Sequence, residues 1–384
     1  MKLFGVILTV ITFGFIGFIA TIITLLTRDG AFYSKLIPVV TTGIIVMIIL
    51  AIYGQLKKRV VKRSVVIFFA LLIISVAAYE GYQMYVKSLE VVSTQDVDLS
   101  TYQPFSNNTK AVSLDEFSTY KIENKLPKLD GATALYPVYA SFVQAVYPEK
   151  EYPLYPLDNS EVVSSQTDEA FNRLINGEVD MVFMAHPSET QMKMAESKVG
   201  DLELTPIGRE AFVFFVHKDN PVNTLTVEQI QGIYAGEITN WSEVDGDDEA
   251  IRAFQRPEGS GSQTALINMM DGTPLMDPPS EDIVSAMGGI IRETSNYQNR
   301  TNAIGYSFRH FSQEMVVDGK IKHIAIEGLS PTKENIQNDS YPIIGEFYAI
   351  TAGSENPHLD AFVEWILSDQ GQKIIDLTGY VPIK

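Results

Sequence analysis

R-P-E-G-S-G-S-Q-T-A-L-I, residues 256–267, reads as a tight loop that opens a helix. Gly259 and Gly261 permit backbone angles closed to other residues. Ser260 and Ser262 are good helix caps. The first turn of a helix carries free N–H groups and a partial positive charge, so it can hold an anion. Arg256 adds a planar fork of donors suited to a tetrahedral oxyanion. The G-K-[ST] ending of a nucleotide P-loop is missing, and no G-x-S-x-G nucleophile elbow fits the frame. A capped helix beside a surface arginine would read the same way, so the loop has to be weighed with its surroundings.

Outward from this loop, short apolar runs alternate with amphipathic helices. Residues 251–254 form a brief strand that delivers Arg256. Upstream, Asp130-Gly131-Ala132-Thr133 is a turn into a helix at 135–146, and 179–184 and 211–216 are apolar strands. Thr167 reads as the cap of a helix at 168–176 with Phe171, Leu174 and Ile175 on one face, and Thr226 as the cap of another at 227–234. Residues 303–307 and 348–351 are further strands, and 361–367 and 370–377 terminal helices. Such alternation predicts an α/β fold of parallel sheets with helices on both faces. Ligands of such sheets bind near helix starts at strand ends, and three loops qualify: 131–133, 165–167 and 256–262.

The first quarter of the chain has a different character. Residues 3–26 run without a charge, long enough to cross a bilayer as a helix. Further apolar runs cover about 36–53 and 64–86, the last holding Glu80 near its outer end. The first run is too long for a signal peptide and has no small-residue cleavage site. Three transmembrane helices, residues 1–88, are therefore expected as an anchor. Lys57, Lys58, Arg59, Lys62 and Arg63 crowd the loop between the second and third runs. The positive-inside rule puts that loop and the N-terminus in the cytoplasm and everything after residue 88 outside the cell. Residues 89–125, polar and rich in Ser, Thr and Asn, read as an extracellular linker with one short helix near 114–120.

Composition removes several functions. With a formal net charge of −18, the 384-residue chain is a poor partner for nucleic acid. No cysteine is present, which excludes disulfides, thiolate metal sites and a cysteine nucleophile, and the five histidines show no zinc-ligand spacing. Ser260 has no evident histidine partner and no carboxylate pair stands in a motif, so an enzyme is not expected.

Four segments carry a family likeness: D-G-A-T-A-L-Y-P-V-Y-A at 130–140, N-P-V-N-T-L-T-V-E-Q-I-Q-G-I-Y-A-G-E-I-T-N-W at 220–241, A-I-G-Y at 303–306 and G-Q-K-I-I-D-L-T-G-Y-V-P at 371–382. With them, residues 126–384 resemble the phosphate-binding protein of the bacterial ABC phosphate importer. The resemblance implies a two-lobed periplasmic-binding-protein fold, with lobe I at about 126–206 and 342–384 and lobe II at about 207–341, closing on phosphate by a hinge near Pro206 to Glu210. It implies a ligand set of Thr133, the Ala134 N–H, Thr167, Arg256, Ser260, Gly261 and Ser262, with Glu258 steadying the arginine. One family position differs: the aspartate that accepts a hydrogen bond from protonated phosphate is here Ala185, with His186 beside it as a supporting candidate. Arg209 and Glu210 read as structural. The expected ligand is inorganic phosphate or a similar tetrahedral oxyanion, and the expected partner an ABC permease or a membrane sensor. A surface protein with altered anion specificity, or one that signals without transport, is the alternative.

Overall fold

The computed structural model of the chain describes residues 2–25, 30–88, 98–256, 260–277, 283–285, 292–294, 300–315 and 320–383. It divides into two compact units, residues 1–88 with 284–293, and residues 89–283 with 294–384.

In the first unit, helices α1 (Lys2–Leu25), α2 (Gly30–Ile52) and α3 (Arg59–Ser88) are long and apolar enough to cross a membrane. Small residues set their approach. A Cβ on Gly17 would stand 2.4 Å from the Thr41 hydroxyl, and one on Gly43 would stand 2.2 Å from the Phe68 ring. Such gaps let helices pack where no hydrophobic drive between them exists. Phe32 stacks on Tyr79 with ring centroids 3.9 Å apart, and the Tyr33 hydroxyl donates to Glu80.

The second unit is α/β. Its strands, numbered along the chain together with the pair β6 (Ile283–Ser285) and β7 (Arg292–Thr294) that falls chiefly in the first unit, are β1 (Leu129–Gly131), β2 (Met181–Ala185), β3 (Glu203–His217), β4 (Thr224–Leu225), β5 (Arg252–Ala253), β8 (Ala303–Phe308), β9 (Ile321–His323), β10 (Ala325–Ile326), β11 (Ile344–Thr351) and β12 (Val381–Pro382). Its helices are α4 (Tyr136–Val146), α5 (Thr167–Ile175), α6 (Glu189–Lys198), α7 (Val227–Ala235), α8 (Gly261–Met269), α9 (Lys333–Gln337), α10 (Leu359–Ile366) and α11 (Asp369–Leu377).

The principal sheet runs β1-β2-β11-β3-β8-β5, with β9 and β12 also on β3. Only β1–β2 and β5–β8 are parallel in it, so the all-parallel expectation is corrected. The reason is β3. It is 15 residues long, pairing antiparallel to β11 through its first half and to β8 and β9 through its second. Only its apolar half, 211–216, shows in the sequence. The preceding T-P-I-G-R-E is polar and holds Pro206 and Gly208, yet it is strand because β11 supplies its ladder partner. A register shift between Phe347 and Tyr348 sits opposite Gly208, where a Cβ would meet the Phe347 ring at 2.3 Å.

Separate hydrophobic clusters pack within this unit. One holds Tyr139, Phe142, Phe183, Phe362 and Trp365; another holds Phe214, Ile230, Trp241, Ile304 and Tyr341. The segment 98–125 departs from the expected linker. Ala111 and Ile122 are buried in the first cluster, and Leu99, Tyr102 and Phe105 pack against it. The Val112 N–H donates to Ser141, and Gln370 accepts from the Thr119 N–H. No helix forms at 114–120; the regular turn is a 310 helix at Leu99–Tyr102, capped by Asp98. Apolar residues spaced too widely for any periodic pattern give this segment its hold, which is why its composition reads as a linker.

Candidate functional site

Three helix starts meet around one cavity of about 400 Å³ in the second unit. Each is placed by a different local device. At the first, β1 ends on Gly131, where the chain lies so close to β2 that a Cβ would be 2.4 Å from the Phe183 carbonyl oxygen. A 310 turn, Thr133–Leu135, then leads into α4, with Pro137 in the first turn where its missing N–H costs nothing. At the second, Gln166 takes a left-handed backbone, φ 75°, and α5 begins at Thr167. Thr167 is thus the first helical residue rather than the cap. At the third, Ser260 caps α8 by accepting from the Gln263 N–H at 3.2 Å.

The structure brings together Thr133, Ala134, Thr167, Arg256, Ser260, Gly261 and Ser262, all lining this cavity, and Ala185 lines it with them. The starts of α5 and α8 nearly touch across it. A Cβ on Gly261 would stand 3.6 Å from the Thr167 hydroxyl oxygen. Glu258 lies outside the described residues. His186 does not join the set. Its Nδ1 is 2.8 Å from the Pro187 carbonyl, its ring stands edge-on to Tyr348, and it lines a neighbouring cavity instead.

Arg256 is anchored through its backbone, whose N–H donates to Gln263 Oε1 and the Tyr306 hydroxyl, both at 2.9 Å. Its side chain is different: Nε is buried and has no hydrogen-bond partner among the described residues. Burial draws its proton affinity below the usual arginine range. A buried donor of a cation that lacks a partner costs free energy until an acceptor meets it. The free N–H groups of three helix starts add to the positive potential.

Two residues with parts in this arrangement were missed or misjudged from sequence. Asp130 is completely buried and holds two of the loops in place. Its Oδ1 accepts from the Gly131 and Ser165 N–H groups at 2.7 and 2.8 Å, and its Oδ2 from Ser165 Oγ at 2.7 Å and Arg173 Nη1 at 2.5 Å. In sequence it reads only as a turn residue; Arg173, far downstream and pointing inward from α5, was the signal. Glu210, read as structural, lines the cavity. Arg209 beside it fits the structural reading, since it pairs with Asp339 at 2.6 Å.

Comparison with known proteins places the chain. The PBP superfamily domain model matches residues 126–370. The chain belongs to the PBP superfamily. Among characterised relatives, the phosphate-binding protein PstS of Bacillus subtilis is 27% identical over 170 residues, 44% of this chain and 53% of that protein. The chain thus spans about half the length of that relative. PstS of Borreliella burgdorferi is 26% identical over 217 residues, 55% of this chain and 76% of that protein. The crystal structure of an ABC-type phosphate transport receptor from Vibrio cholerae aligns with 20% identity and a TM-score of 0.44, covering 66% of this chain and 98% of that one. The superfamily fold here follows three helices that could each span a bilayer. Among the described residues no cluster of His, Cys, Asp and Glu could hold a metal ion.

Proposed function

We propose that this protein captures a small tetrahedral oxyanion, inorganic phosphate foremost, at the outer face of a membrane to which its own three helices anchor it. The observation that carries the reading is the Arg256 guanidinium, its buried Nε without a partner among the described residues, beside the starts of α4, α5 and α8. Thr133, the Ala134 N–H and Thr167 grip the anion from one lobe. Arg256, Ser260, Gly261 and Ser262 grip it from the other. The lobes, about 126–206 with 342–384 and about 207–341, close about the crossing of β3 and β11, and closure strengthens each hydrogen bond by excluding water. The relatives named phosphate-binding proteins support phosphate as the ion. The basic stretch from Lys57 to Arg63, which in the structure is the turn before α3 and the helix's first residues, holds the cytoplasmic side, so the lobes face outward. Anchored there, they present the ion to a membrane partner, an ABC importer or a sensor.

Calorimetric titration of the full chain in detergent micelles tests this. Phosphate should bind, and Arg256→Ala should weaken it by about 100-fold, the loss of a charge-assisted contact to a buried anion. Equal affinity in the variant would refute the site.

A further inference from the structure

The cavity has a second buried ionisable group, of the opposite charge. Glu210 projects from the middle of β3 and is 3% exposed, yet it lines the same cavity as Arg256. A carboxylate in the lining of a cavity proposed to hold an anion calls for an explanation, because like charges in a dry cleft repel strongly.

Its partners hold it in place without neutralising it fully. Oε1 accepts the Ala211 N–H at 3.0 Å and lies 3.5 Å from Arg309 Nε, too long and poorly directed for that nitrogen to donate. Oε2 accepts the His310 N–H at 3.2 Å. Other groups around it are accounted for. Arg309 donates to the Gly379 carbonyl and Gln313. The His310 ring packs at a tilt against Tyr380 and is kept neutral by burial, and the Tyr380 hydroxyl donates to the Ala134 carbonyl. Arg209 is turned to Asp339, and Glu346 on β11 accepts from Tyr348. Desolvation outweighs Arg309 and the two N–H donors, and lifts the Glu210 carboxyl to about 7. The lining of the cavity that Arg256 shares therefore holds a buried carboxyl whose grip on its proton is strengthened by burial.

Resting on the oxyanion reading above, we propose that Glu210 makes capture proton-linked: one proton, shared between Glu210 and the bound anion, is taken up when a dianion enters the cavity. The anion adds negative charge beside Glu210 and raises its hold on the proton. The proton converts repulsion into a hydrogen bond between carboxyl and oxyanion. Binding then favours ions that bring a proton with them, and a dianion draws one from solvent.

The test uses the full chain in micelles and inorganic phosphate. At about pH 8.5 phosphate is chiefly the dianion. Titrations in two buffers of different ionisation enthalpy should show uptake of about one proton per phosphate bound by the wild type, and affinity should fall by about tenfold per pH unit above neutrality. Glu210→Gln, whose amide donates without titrating, should bind with no proton uptake, and its affinity should stay level over that range. Zero uptake by the wild type overturns the proposal, whether or not the variant folds. So do superimposable pH profiles of the two proteins. Phosphate binding that is tight but free of proton exchange leaves the receptor reading standing and removes only this inference; no phosphate binding at any pH removes both.

Discussion

Four donors converge on the carboxylate of Asp130, and that single side chain joins the loop after β1 to the loop before α5. Arg173, itself buried, completes the pair. Removing one partner of a buried pair strands the other, at a cost of about 3–5 kcal/mol. Asp130→Ala should therefore lower the urea midpoint of the soluble unit sharply, and any variant protein that folds should bind phosphate weakly because Thr133 and Thr167 lose their support. A variant with wild-type stability would contradict this account. Two histidines make a second statement at this scale. Burial holds His310 at about 3 and His323 at about 4, below the ordinary 6.5. Their stabilising contribution is complete above 6.5 and is lost as pH falls through that value, since the unfolded chain takes up protons that the folded chain refuses. Glu210, raised to about 7, runs the other way and loses its contribution as pH rises from about 4.5. Two groups outweigh one, so chemical-denaturation midpoints should fall from pH 6.5 downward. His310→Asn should flatten that slope, and an unaltered slope would count against it.

At the scale of elements, the site depends on how strands stop. Strand β1 ends at Gly131 because only a residue without a side chain fits against the Phe183 carbonyl. The obstacle is backbone, which cannot swing aside as a side chain would. Gly131→Ala should cost about 1–3 kcal/mol through overpacking and move the start of α4 away from the cavity. Thermal unfolding and phosphate titration of the same variant check both effects. Helix α8 is placed by simpler means, a serine cap and a glycine start, and for that reason it was legible in the chain. Strand β3 was half legible. Its apolar half alternates with nothing and reads as buried strand; its polar half becomes strand only because β11 lies alongside.

The whole molecule joins three helices that could each cross a bilayer to a PBP superfamily unit. The chain has no cysteine, so single introduced cysteines report topology cleanly. In intact cells, a membrane-impermeant thiol reagent should label Ser106→Cys and leave Gln55→Cys, beside the basic loop, unlabelled until the membrane is broken. The reverse pattern would overturn the outward placement of the lobes.

Sequence by itself determined what is local. Apolar length marked three helices that could cross a bilayer, serine and threonine caps marked the starts of α7 and α8, and the run 256–262 marked a loop that opens a helix, because each depends on neighbours a few positions apart. Only the tertiary structure decided which helix starts face one cavity, that 98–125 belongs to the body, and that Asp130, Glu210 and the Arg256 Nε lie out of reach of water. Desolvation is set by whatever chain packs around a group, here strands and loops up to a hundred or more residues away, and no local pattern encodes it.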